Sequence, residues 1–459
     1  MAASFLGLWL VATTFWVRAN FGNVAFEQLV YHLQYGANGL LEVDPARLYD
    51  YLLYAVLLPF IAAVVLTAGT ARYRQHRPLR PLPWLIAAYG IGHFLFMFRF
   101  QDYASSFFGP DVFSSAYVDP KTVQIEPAGK QKNLVLIYVE SLENSYQDPV
   151  RFGRDLLQPL TDLQQRYMTF GEYEEMPGTN WTVAGIVASQ CGLPLKVMLG
   201  PNEPGLQLKQ FVPHALCLGD VLAAQGYENV FLNGPDLGFA RLGIFLKDHG
   251  YTRTYGAKEW AAAGEDRSKM KTWGLRDDLL FARARTELTQ LMAGGKPFNL
   301  TILTVDTHGP DVLFSDECRH RGARKFEDVL GCTAGQLAEF IEFITSKGWL
   351  DSVSIVLQGD HLAMENPVFD KLNGDKHRRV FNLIITDPLE TPSSPHMTHF
   401  DMFPTILKTV GFKTEAGRLG LGYCMLQSCD IPEPPQKRIK EFEAGILNRS
   451  RVYLSLWTG

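Results

Sequence analysis

Three long apolar stretches near the N-terminus constrain most strongly what this chain can fold into. Residues 2–18, 51–69 and 83–98 are nearly free of charge, and each is close to the length that crosses the hydrocarbon core of a bilayer. A secretory signal peptide would explain only the first stretch, which lacks a basic start and a clear small-residue cleavage site. The sequence therefore predicts a membrane domain over residues 1–98 with three transmembrane helices.

The loop between the second and third stretches predicts the orientation of the chain. Residues 71–81 contain Arg72, Arg74, Arg77 and Arg80, and short basic loops of this kind remain in the cytoplasm. The chain after residue 98 should then lie on the other side of the membrane. Residues 99–132 are mixed in composition and contain three prolines, so we expect a juxtamembrane linker lying along the membrane surface.

The positions of the cysteines agree with export of the larger part of the chain, the residues after 98, which we call the exported part. All six cysteines follow the apolar stretches, which suits an oxidising compartment. Many pairings are possible in principle, and we expect the nearest neighbours to pair. Six free, buried thiols are the alternative, and no zinc-binding spacing is present. The expected pairs are Cys318 with Cys332, Cys424 with Cys429, and Cys191 with Cys217.

The segment 133–459 has the pattern of an α/β domain. Short apolar runs rich in β-branched residues alternate with stretches that have helical spacing, as in 152–168, 275–292 and 334–348. Continuous apolar strands separated by helices indicate a mostly parallel sheet sandwiched by helices. The predicted strands are 133–139, 228–233, 298–305, 352–358 and 380–386.

Carboxylate and imidazole groups follow three of these strands. Glu140 follows the first, the pair Asp306 and His308 comes after the third, and Asp360 with His361 comes after the fourth. Each signal is weak alone, because a carboxylate after a strand often only favours the start of a helix. Ligands collect at the carboxyl ends of parallel strands, however. Together the groups predict a site for a divalent metal ion with oxygen and imidazole ligands.

A polar segment before a buried helix adds a hydroxyl to this set. Residues 176–195 read MPGTNWTVAGIVASQCGLPL. If Thr179 or Asn180 caps a helix that begins near Trp181, Thr182 lies in its first turn, where free amides favour an anion such as phosphate. A metal ion can activate a threonine as a nucleophile. The alternative is that these residues only cap the helix.

These motifs carry a resemblance to a known family. NLVLIYVESLE, PGTNWT, SQCGLPL, KTWGLRDDLLF, TVDTHGP, GDH and THFDMFPTILKTVG resemble the sulfatase-type branch of the alkaline phosphatase superfamily. Within it, the chain is most similar to bacterial phosphoglycerol transferases that modify osmoregulated periplasmic glucans, relatives of lipoteichoic acid synthases. The resemblance implies an inner-membrane enzyme with a periplasmic catalytic domain. Such an enzyme takes sn-glycerol 1-phosphate from phosphatidylglycerol in the bilayer, holds it on a threonine and passes it to a glucan.

The resemblance also implies roles for individual residues. Glu140, Thr182, Asp360 and His361 match the ligands of one divalent ion, most similar to Mn²⁺, with Mg²⁺ or Zn²⁺ as alternatives, and Thr182 matches the nucleophile. His308 matches a catalytic histidine beside the transferred group, although the backbone can equally satisfy its ring. The candidate substrate-binding residues are Asn180, Trp273, Arg276, His377 and His399.

Several of these candidates have a structural role as an alternative to substrate binding. The spacing of Trp273 and Arg276 departs from the Trp-x-Arg of lipoteichoic acid enzymes, so Arg276 can be a helix-surface residue. His377 precedes two arginines at what is usually a solvated edge, and His399 suits a supporting role.

Other functions, from two classes of protein, are compatible with the sequence. The same metal and threonine would serve a phosphoethanolamine transferase, or a phosphodiesterase or sulfatase-like hydrolase. The Cys-x-Pro-x-Arg motif of sulfatases is absent from the sequence. From another class, an inactive membrane-tethered glycan-binding protein is an alternative, and bound metal with turnover would exclude it. A net charge of −5 argues against nucleic acid as a partner.

Overall fold

A six-stranded sheet forms the centre of the part of the chain that follows the apolar helices. The computed structural model describes residues 1–33, 45–72, 80–196, 209–270, 272–431 and 433–458. The strands are β1 (Asn133–Val139), β2 (Glu228–Asn233), β3 (Arg253–Tyr255), β4 (Phe298–Leu303), β5 (Val353–Gly359) and β6 (Asn382–Ile385). Their order is β3-β2-β4-β1-β5-β6, and all neighbours are parallel except β5 and β6. The mostly parallel sheet predicted from the sequence is therefore confirmed.

The central strands are buried on both faces, which explains their continuous apolar sequences. Along β1, Val135, Ile137 and Val139 belong to one hydrophobic cluster. The alternate residues Leu134, Leu136 and Tyr138 belong to another. Because successive side chains of a strand point to opposite faces, a strand covered on both sides needs apolar residues at every position.

Helices cover both faces of the sheet. The predicted helices at 275–292 and 334–348 are confirmed as Asp277–Gly294 and the C-terminal part of Phe326–Ser346. The predicted helix at 152–168 is only Gln158–Gln164, because Gly153 is left-handed and ends the short preceding helix Pro149–Phe152. The other α-helices among the described residues after residue 106 are Val112–Ala116, Thr182–Cys191, Leu218–Ala224, Leu242–Asp248, Ala257–Ala262, Asp316–His320, His399–Thr409, Pro435–Gly445 and Arg451–Thr458.

The N-terminal region is helical and apolar. Ala2–Phe21 and Ala46–Thr70 are long and apolar enough to cross a membrane, whereas the third predicted span is the shorter helix Leu82–Met97, with 16 residues. Gly7 and Gly90 bring the first and third helices together, since a Cβ on either would meet the other helix's backbone within 2.3 Å. Of the loop predicted to be cytoplasmic, residues 73–79 lie outside the described residues. The short helices Phe26–Tyr31 and Phe100–Ser105 complete this region.

The segment 99–132 makes defined contacts with the part of the chain that carries the sheet. Its short strand Ile125–Pro127 pairs antiparallel with Phe412–Thr414. The second half of this segment is therefore part of the folded unit that carries the sheet.

Three disulfides join the six cysteines in the predicted nearest-neighbour pairs, Cys191–Cys217, Cys318–Cys332 and Cys424–Cys429. The first of these ties the end of helix Thr182–Cys191 to the start of helix Leu218–Ala224.

Candidate active site

Three neighbouring strands bring the predicted acidic and imidazole groups to one edge of the sheet. Glu140 follows β1, His308 lies beyond the end of β4, and Asp360 and His361 follow β5. The strands β4, β1 and β5 are adjacent and parallel, so their carboxyl ends meet at this edge. Ser141 has a φ of 54°, and this sharp turn directs the chain away from the sheet directly after Glu140.

Glu140, Asp360 and His361 form a buried cluster with the composition of a metal site. Their potential ligand atoms all lie within 4.8 Å of one another. The Nε2 atom of His361 is 3.4 Å from Glu140 Oε1 and 3.5 Å from Asp360 Oδ2. The Nδ1 atom of His361 lies 2.8 Å from the carbonyl oxygen of Leu362. Because the Nδ1–H group donates there, the Nε2 atom faces the two carboxylates and is the ring atom that a cation between them would take as a ligand.

Asp360 supplies the strongest indication that the cluster binds a cation. Its Oδ1 atom accepts hydrogen bonds from the backbone N–H groups of Ser141 and His361, at 2.8 and 2.9 Å. Its Oδ2 atom is buried and has no hydrogen-bond partner among the described residues. A buried carboxylate oxygen without a partner is costly, and a divalent cation would satisfy it. The residues present therefore fit a metal ion.

The electrostatics of the cluster lead to the same conclusion. Burial alone would raise the pKa of Glu140, but His308 and His361 outweigh burial and lower that pKa to about 2. Burial and the charge of Glu140 raise the pKa of Asp360 to about 7. Burial would lower the pKa of His361, yet Asp360 and Glu140 raise it to about 10. The carboxylates thus favour a positive charge at this point.

Thr182 is the first residue of a buried helix and faces this cluster. Its Oγ1 atom is 3.3 Å from Glu140 Oε2 and 3.5 Å from His361 Nε2. The N-cap residue is Trp181, which provides no side-chain cap. The expectation that Thr179 or Asn180 caps the helix is therefore wrong, while the position of Thr182 in the first turn is confirmed. The hydroxyl of Thr179 instead donates to the carbonyl oxygen of Met176, 2.8 Å away, in a closed turn.

Gly185 allows the threonine helix to approach the cluster. A Cβ at this position would lie 1.9 Å from the carbonyl oxygen of Asp360. Any larger residue would push the helix, and Thr182 with it, away from the end of β5. The small residue in the sequence TVAGIV thus has a direct consequence for the site.

A narrow pocket opens in front of Thr182. Glu140, Thr182, Trp273 and His308 all line it. The rings of Trp273 and His308 lie 3.8 Å apart between centroids, and Phe239 packs edge-on against Trp273 at 5.8 Å. Burial lowers the pKa of His308, so its imidazole is neutral near pH 7. The arrangement places a potential nucleophile, a neutral imidazole and a cation site around one space.

The remaining candidates lie at different distances from this pocket. Arg276 is the N-cap residue of helix Asp277–Gly294, and its Nη1 atom is 3.8 Å from the buried carboxylate of Asp306. Asn180 is partly buried, adjacent to the tryptophan at the helix cap. His377 is exposed, and its backbone N–H donates to Asp375. Neither Arg276, Asn180 nor His377 is among the residues that line the pocket.

His399 lies behind the metal cluster and does not line the pocket. Its Nε2 atom is 2.9 Å from the carbonyl oxygen of Asp360, and its ring packs on Tyr173. Burial lowers its pKa to about 3. A neutral His399 donating to that carbonyl holds the backbone of a potential ligand in place, and this explains its burial better than substrate binding does.

Several residues that line the pocket were not predicted from the sequence. Asn233, Asp236, Phe239 and Leu242 also line the pocket. Asn233 is the last residue of β2, the neighbour of β4 in the sheet, and the other three follow it. The rule that ligands collect at the carboxyl ends of parallel strands therefore also applies to β2. The end of this strand carries an amide and a carboxylate but no histidine.

Hydroxyl groups around Glu140 were missed as well. The hydroxyl of Ser141 donates to the Glu140 carboxylate at 2.6 Å. Thr304 accepts from the Glu140 backbone N–H at 3.1 Å, and Thr307 donates to its carbonyl oxygen at 2.6 Å. Single serines and threonines near strand ends are too common in sequences to reveal this role.

Comparison with known proteins identifies the fold and the family. The family model described as Sulfatase matches residues 132–412, more than half of the chain. A phosphoglycerol transferase I from Citrobacter koseri is 36% identical over 332 residues, which cover 71% of this chain and 42% of that relative. The chain thus spans about two fifths of the length of this relative.

Two solved structures share the architecture. One is a protein in the alkaline phosphatase superfamily from Vibrio parahaemolyticus, with a TM-score of 0.52, 22% identity and coverage of 70% of this chain and 80% of that one. The other is a lipoteichoic acid synthase from Listeria monocytogenes, with a TM-score of 0.53, 14% identity and coverage of 76% and 95%. At these identities the two structures bear on the fold alone. The match over residues 132–412 shows that the chain belongs to the sulfatase family.

Proposed function

We propose that this chain is a membrane-anchored phosphoglycerol transferase that moves sn-glycerol 1-phosphate from phosphatidylglycerol to a periplasmic glucan through a phosphothreonine at Thr182. The observation that carries the proposal is the position of the Thr182 hydroxyl at an uncapped helix start, 3.3 Å from Glu140 and 3.5 Å from His361. The similarity to a protein named phosphoglycerol transferase I supports the choice of the transferred group.

In the first half-reaction the Thr182 oxygen attacks the phosphorus atom of the lipid. A bond forms between this oxygen and phosphorus, and the bond from phosphorus to the diacylglycerol oxygen breaks. The threonine proton must end on the departing diacylglycerol hydroxyl. His308 lines the same pocket and is neutral near pH 7, so we assign this transfer to its imidazole.

In the second half-reaction a glucan hydroxyl attacks the same phosphorus atom. The new phosphodiester forms, the bond to Thr182 breaks, and the proton of the glucan hydroxyl returns to the threonine oxygen through His308. The backbone N–H groups of the first helical turn point at the transferred group in both steps, which favours its negative charge.

Glu140, Thr182, Asp360 and His361 are the residues that would hold one divalent ion, with Mn²⁺ as first choice and Mg²⁺ or Zn²⁺ as alternatives. When bound, the ion lowers the pKa of the threonine hydroxyl and neutralises charge on the phosphoryl oxygens. The unpartnered Oδ2 atom of Asp360 supports this assignment.

The wider organisation follows from the same proposal. Residues 1–98 would form the domain in the bacterial inner membrane, 99–132 the juxtamembrane segment, and 133–459 the periplasmic catalytic domain. The apolar helices and the three disulfides support this placement. A donor lipid has its phosphate at the bilayer surface, where a tethered domain meets it.

The intact mass of the full chain tests the reaction. The protein in lipid nanodiscs is incubated with Mn²⁺ and phosphatidylglycerol, beside the variants Thr182→Ala and Thr179→Val. We expect one added phosphoglycerol unit, mapped to Thr182, on the wild type and on Thr179→Val, and a loss of at least about 10⁴-fold in its rate of formation for Thr182→Ala. Thr179 is a matched control because its hydroxyl is bonded within its own turn.

Other outcomes would replace the proposal. An adduct with phosphatidylethanolamine alone would indicate a phosphoethanolamine transferase. Release of free glycerol phosphate in place of transfer to an added glucan would indicate a hydrolase. The absence of both adduct and bound metal would favour the glycan-binding alternative.

A further inference from the structure

The segment that follows the first apolar helix returns to the threonine pocket. We define the loop wall as residues Gly22–His32, which contain the short helix Phe26–Tyr31. The backbone N–H of Phe26 donates to the carbonyl oxygen of Phe98 at 2.7 Å. The Phe26 ring packs on Phe100 with centroids 4.9 Å apart. The loop wall is thus anchored to the end of the third apolar helix.

The far end of the loop wall contacts the residue beside the candidate nucleophile. The rings of Tyr31 and His32 lie 5.0 and 4.9 Å from the ring of Trp181, which directly precedes Thr182. Tyr31 is only 2% exposed and belongs to the main hydrophobic cluster of the exported part. Burial lowers the pKa of His32 to about 4, so its ring packs as a neutral one.

The same two residues contact the turn that carries the pocket wall after β2. Ala240 and Arg241 have φ angles of 46° and 65°, a left-handed conformation that is strained for a non-glycine residue. The Tyr31 hydroxyl donates to the carbonyl oxygen of Ala240 at 3.2 Å, and the His32 ring lies 6.1 Å from Phe239. On either side of this turn, Phe239 and Leu242 line the pocket.

From these contacts we infer that Tyr31 and His32 are positioning residues of the active site: they hold Trp181 and the Phe239–Leu242 turn, so the loop wall shapes the pocket that receives the donor headgroup. The assignment of that headgroup as phosphoglycerol rests on the proposed function. A strained turn persists only where its surroundings hold it, and here part of the support comes from the membrane region. Donor binding in the exported part therefore depends on the segment between the first two apolar helices.

Four variants of the full chain in nanodiscs test this inference. Tyr31→Phe removes only the hydroxyl, His32→Ala removes a ring, and His32→Phe restores one. Leu33→Ala is the matched control, because Leu33 adjoins the loop wall and is 63% exposed. Hydrogen exchange of the backbone amides of residues 181–185 and 239–242 reports on positioning without any ligand. Binding of sn-glycerol 1-phosphate, and the KM and rate constant of adduct formation with phosphatidylglycerol, report on the pocket.

Loss of one hydrogen bond or ring contact should change each quantity by about five-fold. We expect faster exchange at 239–242 in Tyr31→Phe and faster exchange at both segments in His32→Ala. In each of these two variants, KM and the dissociation constant of glycerol phosphate should rise about five-fold. His32→Phe should recover most of the loss, and Leu33→Ala should match the wild type, with all thermal midpoints within a few degrees.

The inference is overturned if exchange at both segments is unchanged in Tyr31→Phe and His32→Ala, or if Leu33→Ala shows equal losses. It is also overturned if exchange changes while KM and glycerol phosphate binding do not. Failure of the proposed function has a different signature. In that case no adduct forms on Thr182 even in the wild type, while the exchange rates still decide whether the loop wall holds the two segments.

Discussion

Two groups of residues around the same pocket are held in place by different means. On one side, the cluster at the sheet edge, Glu140, Asp360 and His361, is attached to adjacent strands. Each member has at least one further hydrogen bond to serine, threonine or backbone groups at 2.6–2.9 Å. On the other side, the loop wall reaches the pocket through ring contacts and one described hydrogen bond, from Tyr31.

This difference indicates separate roles for the cluster at the sheet edge and for the loop wall. Phosphoryl transfer needs charged groups fixed to within fractions of an ångström, and strand ends of a buried sheet provide that precision. Under the proposed function, admission of a lipid headgroup needs a surface that connects to the membrane, and aromatic contacts would tolerate small movements there. Changes at the sheet edge should therefore abolish function, whereas changes at the loop wall should weaken it by degrees.

After the loss of adduct formation expected for Thr182→Ala, the largest expected effect is the loss of metal binding in Asp360→Asn. The substitution keeps an oxygen that can accept from the N–H groups of Ser141 and His361, but it removes the charge and the unpartnered oxygen. We expect at least about 100-fold weaker binding of Mn²⁺ by calorimetry and a comparable or greater loss of adduct formation.

Glu175→Gln is the control for this change. Glu175 is a neighbouring buried carboxylate that accepts from the backbone N–H of Leu362 at 2.7 Å and is not a member of the cluster. Equal Mn²⁺ affinity in Asp360→Asn and the wild type would contradict the assignment of Asp360 as a ligand.

A second prediction concerns the energetic cost of charge near the sheet edge. Asp277 and Asp306 are buried together; burial raises the pKa of Asp277 to about 7, and burial together with Asp277 raises that of Asp306. An unfolded aspartate titrates near pH 4. The folded state therefore binds more protons between about pH 4 and pH 7, and stability falls as the pH rises through this range.

Asp306→Asn removes one of the two carboxylates and should reduce this loss. Relative to the wild type, we expect a free energy of unfolding higher by about 1 kcal/mol at pH 8 and little difference at pH 4.5. Denaturant unfolding at both pH values measures it, with the exposed Glu415→Gln as control. A variant that is less stable than the wild type at pH 8 would show that the Asp306 charge is stabilised, in conflict with the raised pKa.

The sheet was predictable because its strands are buried on both faces. The predicted runs 133–139 and 228–233 coincide with β1 and β2, and the others differ from the observed strands by one or two residues at their ends. The edge strand Arg253–Tyr255 was missed, since three half-buried residues carry no periodic signal. The antiparallel direction of β6 was also not readable, because direction depends on the connection and not on the strand's own residues.

The candidate site was predictable to the extent that it depends on strand ends. Glu140, His308, Asp360 and His361 follow strands, so a rule about parallel sheets was enough to bring them together. The contacts of Tyr31 and His32 with Trp181 and Phe239 join residues about 150–200 positions apart. They depend on how the apolar N-terminal region packs on the part of the chain that carries the sheet, and no local pattern in the sequence encodes that packing.

The smallest expected effect concerns a second contact between the apolar N-terminal helices and the part of the chain that carries the sheet. Arg47, in the first turn of the second long apolar helix, forms an ion pair with Asp311, three residues after His308. The Asp311 side chain is 53% exposed, and such pairs contribute at most about 1 kcal/mol. Arg47→Gln should therefore raise KM for phosphatidylglycerol by only about threefold.

The pH profile of Arg47→Gln separates an electrostatic role from simple anchoring. Burial is the main reason for the lowered pKa of His308, and the Arg47 charge lowers it further. If neutral His308 accepts the threonine proton, the rate of adduct formation rises with pH through the pKa of His308. Removal of the Arg47 charge raises this pKa, so the rising limb of the pH profile should move to higher pH. Arg99→Gln, which breaks an exposed pair with Asp102, should leave the limb in place. A limb that moves to lower pH in Arg47→Gln would mean that a group other than His308 accepts the proton, because loss of a nearby positive charge can only raise the pKa of an imidazole.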